Sequence, residues 1–166
     1  MDVRPAAAAD LPTIRAIAND AINRSVAHFG LTEWSAEQAQ ADFDARSPQH
    51  PWLVADDGGV LGYAKAGTWK PRGAYAWTVE VGVYVREEAQ GRGVGKALYA
   101  ALLPALDAAG VRHCVAGIVL PNEPSVRLHE AFGFEPVGVF PDMGWKHGAW
   151  HAVGYWSRVV GDGAPS

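Results

Sequence analysis

The sequence contains one cysteine, Cys114, among 166 residues. A lone thiol excludes an internal disulfide framework and any metal site built from several thiolates. Charge is scarce as well: Lys, Arg, Asp and Glu make up 19% of the chain, with a formal net charge of −4. An acidic chain of this kind is a poor candidate for nucleic-acid binding. No apolar run approaches the ~20 residues that cross a bilayer, so no membrane helix is expected. Met1-Asp2-Val3-Arg4-Pro5 lacks the basic-then-apolar order of a secretory leader, and a cytoplasmic location is expected. No repeat, charge block or low-complexity linker divides the chain.

Hydrophobic residues reach 49%, which excludes intrinsic disorder and suffices for a core. The length fits one domain, and we expect a single α/β domain over 3–159 followed by a disordered tail at 160–166. Seven tryptophans, several among polar neighbours, hint at flat aromatic contact surfaces.

Periodicity sets out the elements. Val3 to Pro5 is a short strand. Leu11, Ile14, Ala18, Ala21 and Ile22 recur at helical spacing, with Asp10 as N-cap and Pro12 in the first turn. Ser35 and Gln38 form a capping box for a second helix that ends before Pro48. Strands follow at Pro51–Ala55 and Val60–Trp69 around the Asp57-Gly58-Gly59 turn, then at Ala74–Val85. A helix over Gly93–Ala109 is capped by Gly110, and a strand runs from Arg112 to Val119. A short helix, Glu123–Ala131, stops at Gly133, and Phe134–Phe140 and Ala152–Val159 are closing strands. The order β-α-α-β-β-β-α-β-α-β-β implies a mostly antiparallel sheet that turns parallel around the 93–109 crossover.

The best local signal is Gln90-Gly91-Arg92-Gly93-Val94-Gly95, after a strand and opening a helix. Glycines admit close approach of a ligand, and first-turn N–H groups and the helix dipole favour an anion. Arg92 and Lys96 add positive charge. The alternative is a glycine-rich turn that binds nothing. The loop lacks the Gly-Lys-Ser/Thr of a triphosphate loop and does not match the dinucleotide fingerprint.

Gln90, Gly93 and Gly95 resemble the signature Gln/Arg-x-x-Gly-x-Gly/Ala of the GNAT acetyltransferase superfamily. Asn122, Ser125, Leu128, Gly133 and Phe134 resemble its second motif, with His129 where Tyr is usual. PWLVA (51–55), WKPRGAYAWTVE (69–80), VYV (83–85), LPNEPSVRLHE (120–130) and KHGAWHAVGYW (146–156) look like the phosphinothricin N-acetyltransferase subfamily, in which His at 129 is typical. The resemblance covers Val3 to Arg158. It implies the GNAT fold, a mixed, mostly antiparallel sheet splayed around a pyrophosphate-binding loop and flanked by helices. It also implies acetyl-CoA as cosubstrate, no metal, and homodimers formed through the aromatic C-terminal part. The implied reaction is acetylation of the α-amine of phosphinothricin or of methionine sulfoximine or sulfone, by direct attack in a ternary complex.

The implied coenzyme-binding residues are Val83, Tyr84, Val85, Gln90, Gly91, Arg92, Gly93, Val94, Gly95, Lys96, Asn122 and Ser125, with the Val83 N–H against the thioester carbonyl. Glu80, a carboxylate within an apolar strand, is the candidate general base, acting directly or through water; a surface glutamate on an edge strand is the alternative. His129 is either an acid for the leaving thiolate or a helix residue packed beneath the coenzyme arm. Asn122 orients the coenzyme arm, caps the 123–131 helix, or does both. Arg72 and Tyr75, with Lys70 nearby, match the subfamily's substrate segment, and Phe29 is a pocket wall; a solvated turn cation is the alternative for Arg72. Two local differences from the subfamily, in the Phe29–Glu33 spacing and at Gly82, bear on acceptor preference. His147 and His151 do not make a convincing metal pair, because Gly148 interrupts them and no acidic ligand intervenes. Cys114 lies among apolar strand residues and is expected to be inert. The rivals are acetylation of another small amine or of a protein N-terminus, and a non-catalytic coenzyme A sensor.

Overall fold

A computed structural model describes residues 1–162. The elements run β1 (Asp2–Pro5), α1 (Leu11–Arg24), α2 (Ala36–Asp44), β2 (Trp52–Asp56), β3 (Val60–Thr68), β4 (Thr78–Val85), α3 (Val94–Ala108), β5 (His113–Leu120), α4 (Glu123–Ala131), β6 (Glu135–Lys146) and β7 (Ala149–Val159). This is the order expected from periodicity. One seven-stranded sheet results, ordered β1-β2-β3-β4-β5-β7-β6. Every neighbouring pair is antiparallel except β4 with β5. Those two are joined by α3, the helical crossover that a parallel pair requires.

The β4–β5 ladder is short. It holds three pairs, Thr78 with His113, Val79 with Cys114 and Glu80 with Val115. By contrast, β5 and β7 share eight. Beyond Glu80, β4 and β5 part company, and the sheet opens as a V.

Alternation along the strands divides the core between two faces. On one, Val79 and Val81 of β4 and Cys114, Ala116 and Ile118 of β5 pack with Leu98, Leu102 and Leu106 of α3. On the other, Val54 and Tyr63 meet Ile14, Ile17 and Ala18 of α1 and Phe43 of α2. Gly110 and Gly133 end α3 and α4 with φ of 79° each, the left-handed conformation that favours glycine.

Three local expectations are corrected. The strand expected from Ala74 begins at Thr78, because Gly73–Tyr75 forms a 3-10 turn in which Arg72 and Gly73 carbonyls accept from Tyr75 and Ala76. Asp10 precedes α1 but does not cap it with its side chain. Its carboxylate instead takes the Ala7 N–H at 2.8 Å and both terminal nitrogens of Arg4 at 2.8 and 2.9 Å. The closing strands are longer than expected and form a hairpin turning at His147-Gly148. Ser35 does accept from the Gln38 N–H, at 3.0 Å. At the C-terminal end, the Val160 N–H donates to Arg112 and the Gly161 carbonyl accepts from its guanidinium. Residues 163–166 of the expected tail lie outside the described residues. No helix among the described residues is long and apolar enough to cross a membrane.

The Arg4 guanidinium holds the Asp10 carboxyl below the ordinary carboxylate range. A depressed carboxyl stabilises the fold above its unfolded pKa, and that contribution fades as pH falls through the folded value. Asp10→Asn should therefore lower the urea-unfolding free energy at pH 7 by about 1–2 kcal/mol, discounted because Arg4 remains partly exposed. The loss should shrink toward pH 3, which denaturation at both pH values would measure.

Candidate active site

The V between β4 and β5 leaves backbone groups unspent. The Arg86 N–H donates to the Leu61 carbonyl at 2.9 Å. Given the unbroken β3–β4 register, this makes even-numbered residues of β4 the ones bonded to β3. Odd-numbered residues face β5, as the Trp77 carbonyl shows by accepting from Arg112 and His113. Val81, Val83 and Val85 therefore direct their peptide groups into the opening, where β5 has diverged. The peptide groups of Tyr84 face Tyr63 on β3 instead.

The strand leads directly into the loop. Gly91 and Gly93 have φ of 75° and 82°, and Gly93 is the N-cap of α3. The first intrahelical bond runs from the Ala97 N–H to the Gly93 carbonyl at 3.0 Å. The N–H groups of Val94, Gly95 and Lys96 thus precede any helical acceptor. Gly93 has no side chain to cap them. Gln90, Arg92 and Lys96 are exposed around this helix end, and Val94 is buried beneath it. Arg92 lies 3.6 Å from Asp57 in the β2–β3 turn. Unspent donors, left-handed glycines and two cations fit a diphosphate.

Helix α4 closes the far side of the opening. A Cβ at Gly95 would lie 3.1 Å from Leu128 Cδ2, so the glycine is what lets α4 approach α3 so closely. Asn122 caps α4, its Oδ1 accepting from the Ser125 N–H at 3.3 Å. His129 is only 4% exposed. Its Nδ1 sits 2.7 Å from the Ser125 carbonyl and so carries the proton it donates there. Nε2 is left to accept from the Tyr99 hydroxyl, also at 2.7 Å. Burial lowers the imidazole pKa, opposed by the Ser125 bond. Burial thus favours the neutral form of the ring, and both nitrogens are engaged.

Glu80 stands at the point where the strands diverge, between β3 and β5, and not on an edge strand. Its side chain points to the α1/α2 face, opposite Val79 and Val81, and is solvent-accessible. Even so, the surrounding protein desolvates the carboxyl enough to raise its pKa, with Lys70 and Lys65 opposing. Its charge also helps raise the Tyr155 phenol, secondary to burial. Tyr155 meets Trp69 edge-on at 5.7 Å. Arg72 and Tyr75 lie exposed on the 69–77 loop, and Lys70 lies 4.9 Å over the Trp69 ring.

The segment between α1 and α2 is pinned to this face by groups that periodicity did not single out. Lys146 is 4% exposed, yet its ammonium donates to the His28 carbonyl at 2.6 Å. The His28 imidazole packs 5.2 Å from Tyr84 and accepts the Gly30 N–H at Nδ1. Burial, Lys146 and Lys65 push its pKa down to about 4. Phe29 packs edge-on against His151 at 6.2 Å and over Gly144, where any Cβ would collide with its ring. His151 Nε2 donates to the Lys146 carbonyl at 2.8 Å. Among the described residues, no cluster of three or more His, Cys, Asp or Glu is placed to hold a metal. Burial pushes the Cys114 thiol up to about 12, and Cys114 is fully enclosed.

The model of the Acetyltransferase (GNAT) family matches residues 17–134. The chain is 44% identical over 159 residues to phosphinothricin N-acetyltransferase of Streptomyces viridochromogenes, covering 95% of this chain and 87% of that protein. It is 43% identical over 151 residues to L-methionine sulfoximine/L-methionine sulfone acetyltransferase of Pseudomonas aeruginosa, covering 89% and 88%. The crystal structure of a GNAT superfamily phosphinothricin acetyltransferase from Sinorhizobium meliloti, in complex with acetyl-CoA, superposes with a TM-score of 0.93. It is 35% identical, covering 99% of this chain and 91% of that one.

The Lys146 bond implies a measurable constraint. Lys146→Met keeps the buried stem but removes the donor. Hydrogen exchange should then accelerate across residues 25–34 and stay unchanged in α3, because only the segment loses its anchor.

Proposed function

The chain belongs to the GNAT acetyltransferase family and is an acetyl-CoA-dependent N-acetyltransferase, and we propose that its acceptor is the α-amine of phosphinothricin or a related glutamate-like amino acid. The observation that carries this reading is the Glu80 carboxylate, raised in pKa and flanked by Lys65 and Lys70, at the mouth of the β4–β5 opening. A proton acceptor surrounded by cations suits an amine that belongs to an anionic molecule. A polyamine would be repelled there.

Acetyl-CoA supplies an activated acetyl thioester. The residues of the chain do the rest. An amine attacks only as the free base, and an amino-terminal amine has a pKa of ~7.7–8.0. Glu80 accepts its proton, directly or through water. The C–N bond forms as the C–S bond breaks, and the thiol's pKa of ~8.5 lets it depart as thiolate. The Val83 N–H, turned into the opening, donates to the oxygen that gains charge. Val94, Gly95 and Lys96 amides, with Arg92, hold the diphosphate. Gln90 and Gly91 shape that loop, and Val85 extends the pairing edge. Tyr84 contributes through its ring behind the strand. Asn122 and Ser125 set the start of α4.

Of the two roles open for His129, packing is the one its bonds support. Its Nδ1 proton is committed to the Ser125 carbonyl and its Nε2 to the Tyr99 hydroxyl, so the ring braces α4 against α3. Arg72 and Tyr75 contribute to binding the anionic acceptor, since the Arg72 guanidinium has no ion-pair or hydrogen-bond partner among the described residues. Phe29 walls the pocket. Neutralising the amine of a glutamate-like inhibitor would abolish its resemblance to glutamate, so cytoplasmic detoxification, as in herbicide resistance, is the role that fits.

We also propose a homodimer. The outer strand β6 exposes Val137, Val139, Phe140 and Met143, and Trp145 and Trp150 stand exposed at the hairpin end. An unpaired apolar edge of this length is otherwise an aggregation hazard.

Glu80→Gln should lower kcat by about 10²–10⁴-fold with little change in acetyl-CoA KM. In the wild type, kcat/KM should fall on the acid side at a pH above the ordinary glutamate range, because the base works only when ionised. Thiol release with phosphinothricin, methionine sulfoximine, methionine sulfone and simple amino acids tests the acceptor class, and preference for a polyamine would refute it. Val139→Asp combined with Phe140→Asp should shift the sedimenting species at micromolar concentration from dimer to monomer. A monomeric wild type would sink the dimer.

A further inference from the structure

Lys65 lies on β3, and the register pairs it with Gly82, while its second neighbour Gly67 pairs with Glu80. Lys65 and Glu80 are therefore diagonal neighbours. They share a face, since Tyr63, two residues before Lys65, packs into the α1/α2 core and Tyr84 joins it there. The Lys65 ammonium sits 4.6 Å from the Trp34 ring centre and 4.9 Å from that of Trp52. Trp34 is itself held by two bonds to Asn19 of α1, at 2.8 and 3.2 Å, and Trp52 is buried. The cation is thus clamped between two fixed indole faces.

Its donors are unspent. An ammonium has three N–H bonds to give, and an aromatic face offsets the charge without accepting them all. Asp42 and Glu80 are the carboxylates close enough to influence it, yet neither forms an ion pair with it. No hydrogen-bond acceptor meets it among the described residues. This sets it apart from Lys146, which is spent on the His28 carbonyl, and from Arg4, which is spent on Asp10 and Asp56.

We propose that Lys65 binds the anionic side-chain group of the acceptor and makes the enzyme prefer amino acids with a negatively charged side chain over isosteric neutral ones. The assignment rests on the amino-acid acetyltransferase reading above and narrows it. Geometry decides which end of the acceptor reaches Lys65. The amine must approach Glu80 and the opening beside β4. Lys65 belongs to the next strand, ~4.8 Å farther from that opening. A group separated from the amine by the length of the acceptor's side chain meets it, whereas the α-carboxylate stays near the amine. A phosphinate or carboxylate forms a charge-assisted bond with the ammonium, and a sulfone offers only neutral oxygens. Pre-positioning by the two indoles lowers the ordering cost of that bond.

The test compares phosphinothricin with methionine sulfone in the full-length enzyme. Lys65→Met, which keeps the stem against both indoles, should cut kcat/KM for phosphinothricin by about ten- to a hundredfold, carried by KM. With both acceptors assayed at alkaline pH, where Glu80 is ionised in either protein, methionine sulfone should lose less than about threefold, with acetyl-CoA KM and melting temperature unchanged. Lys65→Arg should retain the preference. Equal losses for both acceptors would mean that Lys65 reads the α-carboxylate they share, and would overturn the assignment; an unchanged ratio would do the same. If the wild type acetylated neither compound, the proposed function would fail on its own. Calorimetric titration of the coenzyme A complex with each compound would then decide on Lys65 separately, expecting about tenfold weaker phosphinothricin binding in Lys65→Met and unaltered sulfone binding. Equal or absent changes in that titration would likewise overturn the assignment.

Discussion

The divergence of β4 from β5 beyond the Glu80–Val115 pair is the constraint on which the rest of the structure depends. Strands normally satisfy each other's peptide groups. Here the ladder is abandoned on one side while β3 continues to pair along β4 for seven residues. The result is a strand held rigid by one neighbour and available to a ligand along its other edge. Helix α4 follows β5 beside the opening, with Val126 and Leu128 packed against the same core as Val83 and Val85. Backbone donors positioned this way do not need to reorganise when charge develops near them.

Much of this was legible in the sequence. Order and type of all eleven main elements follow from hydrophobic period and from turn residues at fixed places. Gly110 and Gly133 are where helices had to stop, and both take positive φ. The glycines of the 90–95 loop stood out by their spacing, and the structure gives each a reason: positive φ at Gly91 and Gly93, and close packing against Leu128 at Gly95. What escaped was tertiary. Ala74–Trp77 carries strand-like residues, but Gly73 and the Arg72 carbonyl close a tight turn first. Asp10 has the composition of a cap, yet an arginine six residues back offers two charged donors and wins.

The acceptor face was the least legible part. Lys65, His28 and Lys146 come from three separate segments, and no spacing rule links them. Their common signal is visible only in space: polar groups drawn away from solvent on one face, His28 and Lys146 with hydrogen-bond partners and Lys65 held between two indoles. A lysine within an apolar strand, as in Ala64-Lys65-Ala66, is the one hint that the sequence offered. His129 shows the converse. Its motif position suggests chemistry, and its hydrogen bonds to Ser125 and Tyr99 describe a structural bracket.

The contact between Arg92 and Asp57 ties the 90–95 glycine loop to a hairpin tip that precedes it by more than thirty residues. An arginine already near a carboxylate is partly neutralised before any polyanion arrives, and the polyanion must compete for it. In the proposed coenzyme site, the Asp57-Gly58-Gly59 tip would thereby act as a tuning screw for coenzyme affinity, adjustable by drift at a surface bend that bears no chemistry of its own.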